Sequence, residues 1–237
     1  MISVLLVDDE PPLLDITQIF LERDGKMKVT LSESAKDALE KLAVRKFDII
    51  VADYEMPQMT GLDLLKAVKN LGYDIPFIIF TGRGREFVAI EALNLGASFY
   101  LQKGGDPKSQ FAELRNVIVQ AVQKKRAEEE IRLNQMRLQA VIELYQMSDR
   151  DEGDLCRYAL DRAISLSGSA IGYLAFLNEE ETAFRITTWS QSTLDLCRIA
   201  DRNTEFAVAK TGLWGEPVRT RRPLIINDYA ALDRGKK

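Results

Sequence analysis

The chain contains no histidine. That excludes a histidine-based triad, an imidazole zinc site and an imidazole proton relay. It also means that any phosphohistidine chemistry has to use a histidine of another protein. Cysteine is scarce as well. Cys156 and Cys197 are the two present, a usage that fits a reducing cytosol better than a disulfide framework. No apolar run approaches the roughly 20 residues needed to cross a bilayer. The start MISVLLVDDE turns acidic after one strand's length, unlike a signal peptide. A basic excess is missing too: the net charge is -4, and the basic run near Lys124 is balanced at once by Glu128-Glu129-Glu130. The expectation is a soluble cytoplasmic protein with neither nucleic acid nor membrane as a partner.

What is present is enough apolar residue, 46% of 237, to bury one large core or two small ones. Four short apolar runs each end on a polar residue of a different kind. Ile2 to Val7 stops at Asp8-Asp9, and Phe47 to Ala52 stops at Asp53. Ile75 to Phe80 stops at Thr81, and Ser98 to Gln102 stops at Lys103. Runs of this length, rich in Val, Ile, Phe and Leu and separated by helical stretches, read as buried parallel strands. In open α/β sheets the ligand site lies beyond the carboxyl ends of the strands. Three carboxylates, a hydroxyl and an ammonium therefore meet on one sheet edge. The acids suit a divalent cation; the hydroxyl and the amine suit a phosphoryl group.

Between these runs the spacing predicts helices. The first opens at Pro11-Pro12, carries Leu13, Leu14, Ile16, Ile19 and Phe20, and stops near Gly25. A strand around residues 28–31 leads to a helix capped by Ser34 and lined by Ala35, Ala38, Leu39 and Leu42. Thr60-Gly61-Leu62-Asp63 reads as a capping box before Leu64, Leu65, Val68 and Leu71. A fourth helix spans 84–95 with Phe87, Val88, Ile90 and Leu93. Five strands alternating with helices predict a doubly wound sheet with right-handed crossovers.

From Lys108 to Met147 there is neither Pro nor Gly, so one long helix is expected. Its middle is too polar for a core, while Ile131, Leu138, Ile142 and Tyr145 form a late apolar seam. A solvated spacer and a helix paired with its twin are both open, because Gln135 interrupts the heptad; a homodimer would form through the receiver and this linker helix. Beyond it, residues 154–166 read as an amphipathic helix and 170–178 and 182–190 as paired strands about Glu179-Glu180-Glu181. A short helix is expected over 212–219 and a further strand over 223–227.

At Asp8-Asp9, at Asp53-Tyr54-Glu55-Met56-Pro57-Gln58-Met59-Thr60-Gly61, at Thr81 and at Lys103 the first 124 residues resemble the receiver domain of two-component response regulators. The resemblance implies a five-stranded flavodoxin-like fold. It also implies a phosphoryl group taken onto Asp53 from a sensor histidine kinase or phosphotransfer protein. Mg²⁺ (or Mn²⁺) would be held by Asp8, Asp9, Asp53 and the backbone carbonyl of Glu55. Lys103 and Thr81 would meet the phosphoryl oxygens, and Tyr100 would be the aromatic that turns inward as Thr81 moves. The chain would be a phosphoacceptor rather than an enzyme, at most catalysing its own phosphotransfer and dephosphorylation. Glu55 and Arg83 occupy positions that tune acyl-phosphate lifetime in the family. Gly104-Gly105 follow Lys103 where most receivers carry proline; a cis bond without proline is costly, so a looser or trans loop is expected. Gly82 stands where alanine is usual.

Residues 148–237 resemble the N-terminal part of a GAF domain, through 155–160, 171–177, 210–218 and 222–228. The strands and helix expected after Asp228 are missing from the sequence, so this α+β region reads as a partial, C-terminally shortened module behind a linker at 125–147. Trp189 and Trp214 would line a ligand pocket or, more plainly, a core; Cys156 and Cys197 are taken as buried thiols rather than chromophore attachment points. Two rivals remain: the front of a hybrid sensor histidine kinase, and a haloacid-dehalogenase-like Mg²⁺-dependent phosphatase. The latter needs a second Asp two residues after the nucleophile, where this chain has Glu55.

Overall fold

A computed structural model of the chain describes residues 1–82, 86–190 and 205–226. The chain divides into two compact units, residues 1–130 and 131–237.

The first unit alternates strand and helix throughout: β1 (Ile2–Val7), α1 (Pro11–Glu22), β2 (Met27–Ser32), α2 (Ala35–Val44), β3 (Ile49–Ala52), α3 (Gly61–Asn70), β4 (Phe77–Thr81), α4 (Glu86–Asn94) and β5 (Phe99–Gln102). α5 (Pro107–Gln146) follows. The strands form one parallel sheet in the order β2-β1-β3-β4-β5. β1, β3 and β4 are flanked on both sides, so β3, β4 and residues 4–7 of β1 are buried throughout rather than alternating. Two apolar layers cover the sheet. Leu5, Ile50 and Ile79 face one layer with Leu64, Leu65 and Val88. Val4, Val51 and Ile78 face the other with Leu14, Leu114 and Ile118.

The predicted caps are in place. Ser34 Oγ accepts from the Asp37 N–H, and Thr60 with Asp63 forms a reciprocal capping box. Each such cap satisfies backbone donors that the first helical turn leaves orphaned.

Two helices bury only part of the apolar set the sequence suggested. In α1 the buried residues are Leu14, Thr17 and Leu21, while Ile16 and Ile19 face solvent. In α4 Val88 and Ala92 are buried, and Phe87, Ile90 and Leu93 are exposed. In α4 the smaller residues, Val88 and Ala92, face the sheet, where a helix can approach most closely.

The second unit begins inside α5. α6 (Glu152–Ser167) is capped by Asp151, whose Oδ1 accepts from the N–H groups of Gly153 and Asp154, and it ends at Gly168 in the left-handed region. β6 (Tyr173–Leu177), β7 (Ala183–Trp189) and β8 (Glu205–Ala207) form an antiparallel sheet in that order. The β6–β7 turn is held by Asn178, which accepts from the N–H groups of Thr182 and Ala183. Two 3-10 turns, 208–210 and 212–215, precede the short α7 (Glu216–Thr220). Phe184, Ile186 and Val208 are its small core, with Trp189 and Phe206 packed against them. Trp214 is only half-buried and stacks on Tyr173 at 5.1 Å between ring centroids.

β8 had no counterpart in the sequence reading. The strand expected over 223–227 is absent from its described part: residues 223–226 are irregular, and no strand among the described residues pairs with them. Extended backbone without a ladder partner does not make a strand. Among the described residues no helix is long and apolar enough to cross a membrane.

Candidate phosphoacceptor site

Strand register builds the site. Val7 lies opposite Ala52 in the β1–β3 ladder, so the residues that follow, Asp8 and Asp53, leave the sheet side by side. The Asp53 N–H donates to the Val7 carbonyl at 2.8 Å. Across the sheet Thr81 pairs with Gln102, and the next residue, Lys103, donates its N–H to the Thr81 carbonyl at 2.7 Å. Four chain segments far apart in sequence are thereby fixed at one edge by backbone hydrogen bonds alone.

The side chains then meet. The Lys103 ammonium donates to Asp8 Oδ2 at 2.6 Å and to Asp53 Oδ1 at 2.8 Å, with the Phe80 ring 5.6 Å from the nitrogen. The second Asp53 oxygen accepts from the Glu55 N–H at 2.8 Å, and Asp8 Oδ1 accepts from the Glu10 N–H at 3.0 Å. Asp8, Asp53 and Thr81 are all buried. The arrangement is oriented before any ligand arrives, because both Asp53 oxygens are tethered.

Burial pushes the Asp53 carboxyl above its usual range; Lys103 works against that shift, and the neighbouring Asp8 adds to it. For Lys103 burial is the largest influence and acts downward, but the hydrogen bonds and charges of Asp53 and Asp8 together outweigh it and hold the ammonium above its ordinary pKa. Two buried carboxylates thus share one cation, and a net negative charge stays in a partly desolvated place.

An open cleft of about 750 Å³ leads to these groups, lined by Asp9, Glu10, Asp53, Glu55, Thr81 and Lys103 among others. So the structure brings Asp8, Asp53 and Lys103 into direct contact and sets Asp9, Glu55 and Thr81 around the same cleft. Tyr100 lies apart from it, half-buried on β5 and packed against the core layer of α2, α3 and α4. Arg83 falls outside the described residues. Gly104 and Gly105 take φ of 154° and 83°, angles that suit glycine, and no described peptide bond is cis.

Two features of the site carry no functional signal in the sequence. Gly61 was visible as part of a capping box, but a Cβ there would overlap the backbone carbonyl of Asp53. The tethering of Asp53 by the Glu55 N–H is a loop property with no signal in residue identity.

Among the described residues no three acidic side chains form a metal-holding group by themselves. The donor set nevertheless fits a hard divalent cation. Mg²⁺ commonly takes one or two carboxylates and keeps several waters, and the uncompensated charge of Asp8 and Asp53 is what such an ion would offset.

Comparison with known proteins agrees with this geometry. Residues 4–115 match the response regulator receiver domain family, and residues 149–237 match the GAF domain family. The chain is 29% identical over 224 residues to the methyl sulfide methyltransferase-associated sensor of Methanosarcina acetivorans, covering 94% of this chain and 20% of the sensor. It is 38% identical over 118 residues to the response regulator SaeR of Staphylococcus aureus, covering 50% of this chain and 51% of that protein. The chain therefore spans about half or less of the length of these relatives. A solved signal receiver domain from Vibrio parahaemolyticus superposes with a TM-score of 0.50 at 22% identity, over 55% of this chain and 96% of that one; this similarity concerns the fold alone. The chain thus carries a flavodoxin-like response regulator receiver domain followed by a GAF domain.

Proposed function

We propose that Asp53 is the phosphoacceptor of this two-component receiver and that the domains are a receiver over 1–124, a linker helix over 125–147 and a GAF-like region over 148–237. The observation that carries the reading is the Lys103 ammonium shared between Asp8 and Asp53. A carboxylate oxygen of Asp53 attacks the phosphorus of a partner's phosphohistidine. The P–N bond breaks, the imidazole leaves with a proton, and an aspartyl phosphate forms. Lys103 then turns from bridging two acids to neutralising phosphoryl oxygens, and the Thr81 hydroxyl donates to one of them. Asp8, Asp9, Asp53 and the Glu55 carbonyl would hold Mg²⁺ or Mn²⁺. When bound, the ion supplies charge neutralisation for the transferring group.

The donor is a sensor histidine kinase or phosphotransfer protein met in the cytoplasm, since this chain has no histidine of its own. Output passes through movement at Thr81 and Tyr100 into the linker helix and the GAF region, by protein contacts and without nucleic acid. Glu55, with Arg83, sets the lifetime of the acyl phosphate. The similarity across 94% of the chain to a longer sensor favours a second reading of output, in which the receiver–GAF pair works as the front part of a hybrid sensor.

Incubation with acetyl phosphate and Mg²⁺, followed by peptide mass spectrometry, tests the assignment. A phosphoryl adduct on the Asp53 peptide, released by hydroxylamine and missing from Asp53→Asn, is expected. An adduct on any other residue would overturn it.

A further inference from the structure

Lys103 stands where β5 has ended and α5 has not yet begun. On one side its backbone is held, since its own N–H donates to the Thr81 carbonyl at 2.7 Å. On the other side come Gly104 and Gly105, at φ of 154° and 83°. Glycine reaches such angles freely and is correspondingly poor at staying in them. A Cβ on either glycine would touch nothing, so packing does not hold this loop.

One side chain among the described residues reaches its backbone. Gln110, in the opening turn of α5, accepts from the Gly104 N–H through Oε1 at 3.1 Å. Gln110 is itself anchored. Its N–H donates to the Asp106 carbonyl at 3.0 Å, and Asp106 Oδ2 accepts from the N–H and the hydroxyl of Ser109 at 2.9 and 3.0 Å, which caps the helix start. The side chain is half-buried and lines the same cleft as Asp53 and Lys103.

We propose that Gln110 is a positioning residue for phosphotransfer. By holding the Gly104 N–H it fixes the backbone beyond Lys103, and with it the reach of the ammonium toward the phosphoryl group. The inference rests on the reading of Asp53 as the phosphoacceptor and acts through Lys103 alone. In the resting site two short bonds to Asp8 and Asp53 hold the ammonium. Those bonds are given up when it turns to phosphoryl oxygens. The lysine stem is flexible, so where the ammonium can then go is set by the backbone it hangs from and by the wall beside it. The wall is the buried Phe80 ring, 5.6 Å from the nitrogen. The backbone has the Thr81 bond behind it and the Gln110 bond ahead. Proline at position 104 would offer no N–H to Gln110, so the glycine and the tether belong together.

The test follows phosphorylation of the full chain by acetyl phosphate with Mg²⁺, at the Asp53 peptide, over a range of acetyl phosphate concentrations. Gln110→Met keeps the side chain's length and loses the acceptor; Gln110→Glu keeps the acceptor. In Gln110→Met the maximal rate should fall roughly two- to tenfold, the worth of one such bond. The half-saturating concentration should be unchanged, and circular dichroism should show the fold retained. Amide exchange at Gly104, followed by NMR, should be faster in Gln110→Met and as slow as wild type in Gln110→Glu. A purely structural glutamine would move stability and leave the maximal rate alone. A wild-type maximal rate in Gln110→Met would therefore overturn the proposal, as would Gly104 exchange indifferent to the substitution. A change confined to the half-saturating concentration would also overturn it, making Gln110 a binding group. An adduct on a residue other than Asp53 in the wild-type chain would instead overturn the phosphoacceptor assignment beneath it.

Discussion

Gly61 lies so close to the backbone carbonyl of Asp53 that a methyl group on it would overlap that oxygen, and Ile79 Cδ1 would be 3.1 Å from it on the other side. The Gly61 N–H also donates to the Tyr54 carbonyl at 3.0 Å, so the start of α3 is drawn over the segment that follows Asp53. Neither neighbour can yield cheaply, one being backbone and the other a fully buried core side chain. Gly61→Ala should cost about 1–3 kcal/mol of stability. It should also slow phosphorylation of Asp53, because the relief available is to push that residue's backbone outward. Urea unfolding and the rate of phosphorylation by acetyl phosphate, measured on one preparation, check both halves. Stability lost with the rate intact would mean that the strain is absorbed in α3.

Lys103 is the sole cation hydrogen-bonded to Asp8 and Asp53 among the described residues. Removing it leaves two adjacent buried carboxylates in mutual repulsion, and breaking such a pair costs about 3 kcal/mol. Lys103→Gln should therefore lower stability by that order at neutral pH. The ammonium's pKa is held above its ordinary value of 10.5, so its contribution is fully present below about 10.5. It is lost as pH rises through the higher folded-state value. The deficit of Lys103→Gln against wild type should then stay constant across neutral and mildly alkaline pH and shrink only beyond that. Denaturant midpoints over an alkaline series measure it; a deficit that shrinks below pH about 9 would place the lysine's stabilising role elsewhere.

Asp53 has the opposite sign. Its carboxyl is raised by burial, so the folded state holds the proton more tightly than the unfolded chain does. The group favours folding while protonated, and that advantage disappears as pH rises from the ordinary carboxyl value of 3.8 through the raised folded one. At neutral pH the charged side chain is a cost that the proposed phosphotransfer role would require. Asp53→Asn removes this dependence. The difference in stability between Asp53→Asn and wild type should move in favour of the variant as pH rises from acid toward neutrality, then level off. A flat difference across that range would show that Lys103 fully offsets burial.

Most of this site was legible because its residues end strands. A strand's apolar run and the polar residue that stops it are both visible in sequence, and parallel pairing then fixes which stops become neighbours. What the sequence could not supply was rotation. α1 and α4 carry apolar residues on more than one side, and Ile16, Ile19, Phe87, Ile90 and Leu93 looked like core although they are exposed. Of the residues read on these helices the sheet takes Leu14 and Val88, and it adds Thr17, Leu21 and Ala92. Thr17 in the middle of the buried stripe disguises it in α1, and Ala92 does the same in α4. β8 went unread because three residues offer too short a pattern for alternation to show.

Gln58 adopts φ of 68°, in the left-handed region that costs a residue with a Cβ roughly 1 kcal/mol or more. It sits in the tight turn after Pro57, where the Met59 N–H donates back to the Pro57 carbonyl at 2.8 Å. Its side chain is exposed, so little packing is lost if it is cut away. Glycine reaches the same backbone angles without steric cost but gives up more chain entropy on folding, and the two effects partly cancel. Gln58→Gly should stabilise the receiver by about 0.5 kcal/mol, seen as a higher urea midpoint at an unchanged slope. Glycine keeps the same backbone angles, so the Glu55 N–H that holds Asp53 stays where it is, and the rate of Asp53 phosphorylation should be unaltered. A midpoint that falls would mean that the turn is already held by the bond from the Met59 N–H to the Pro57 carbonyl, and that glycine only loosens it.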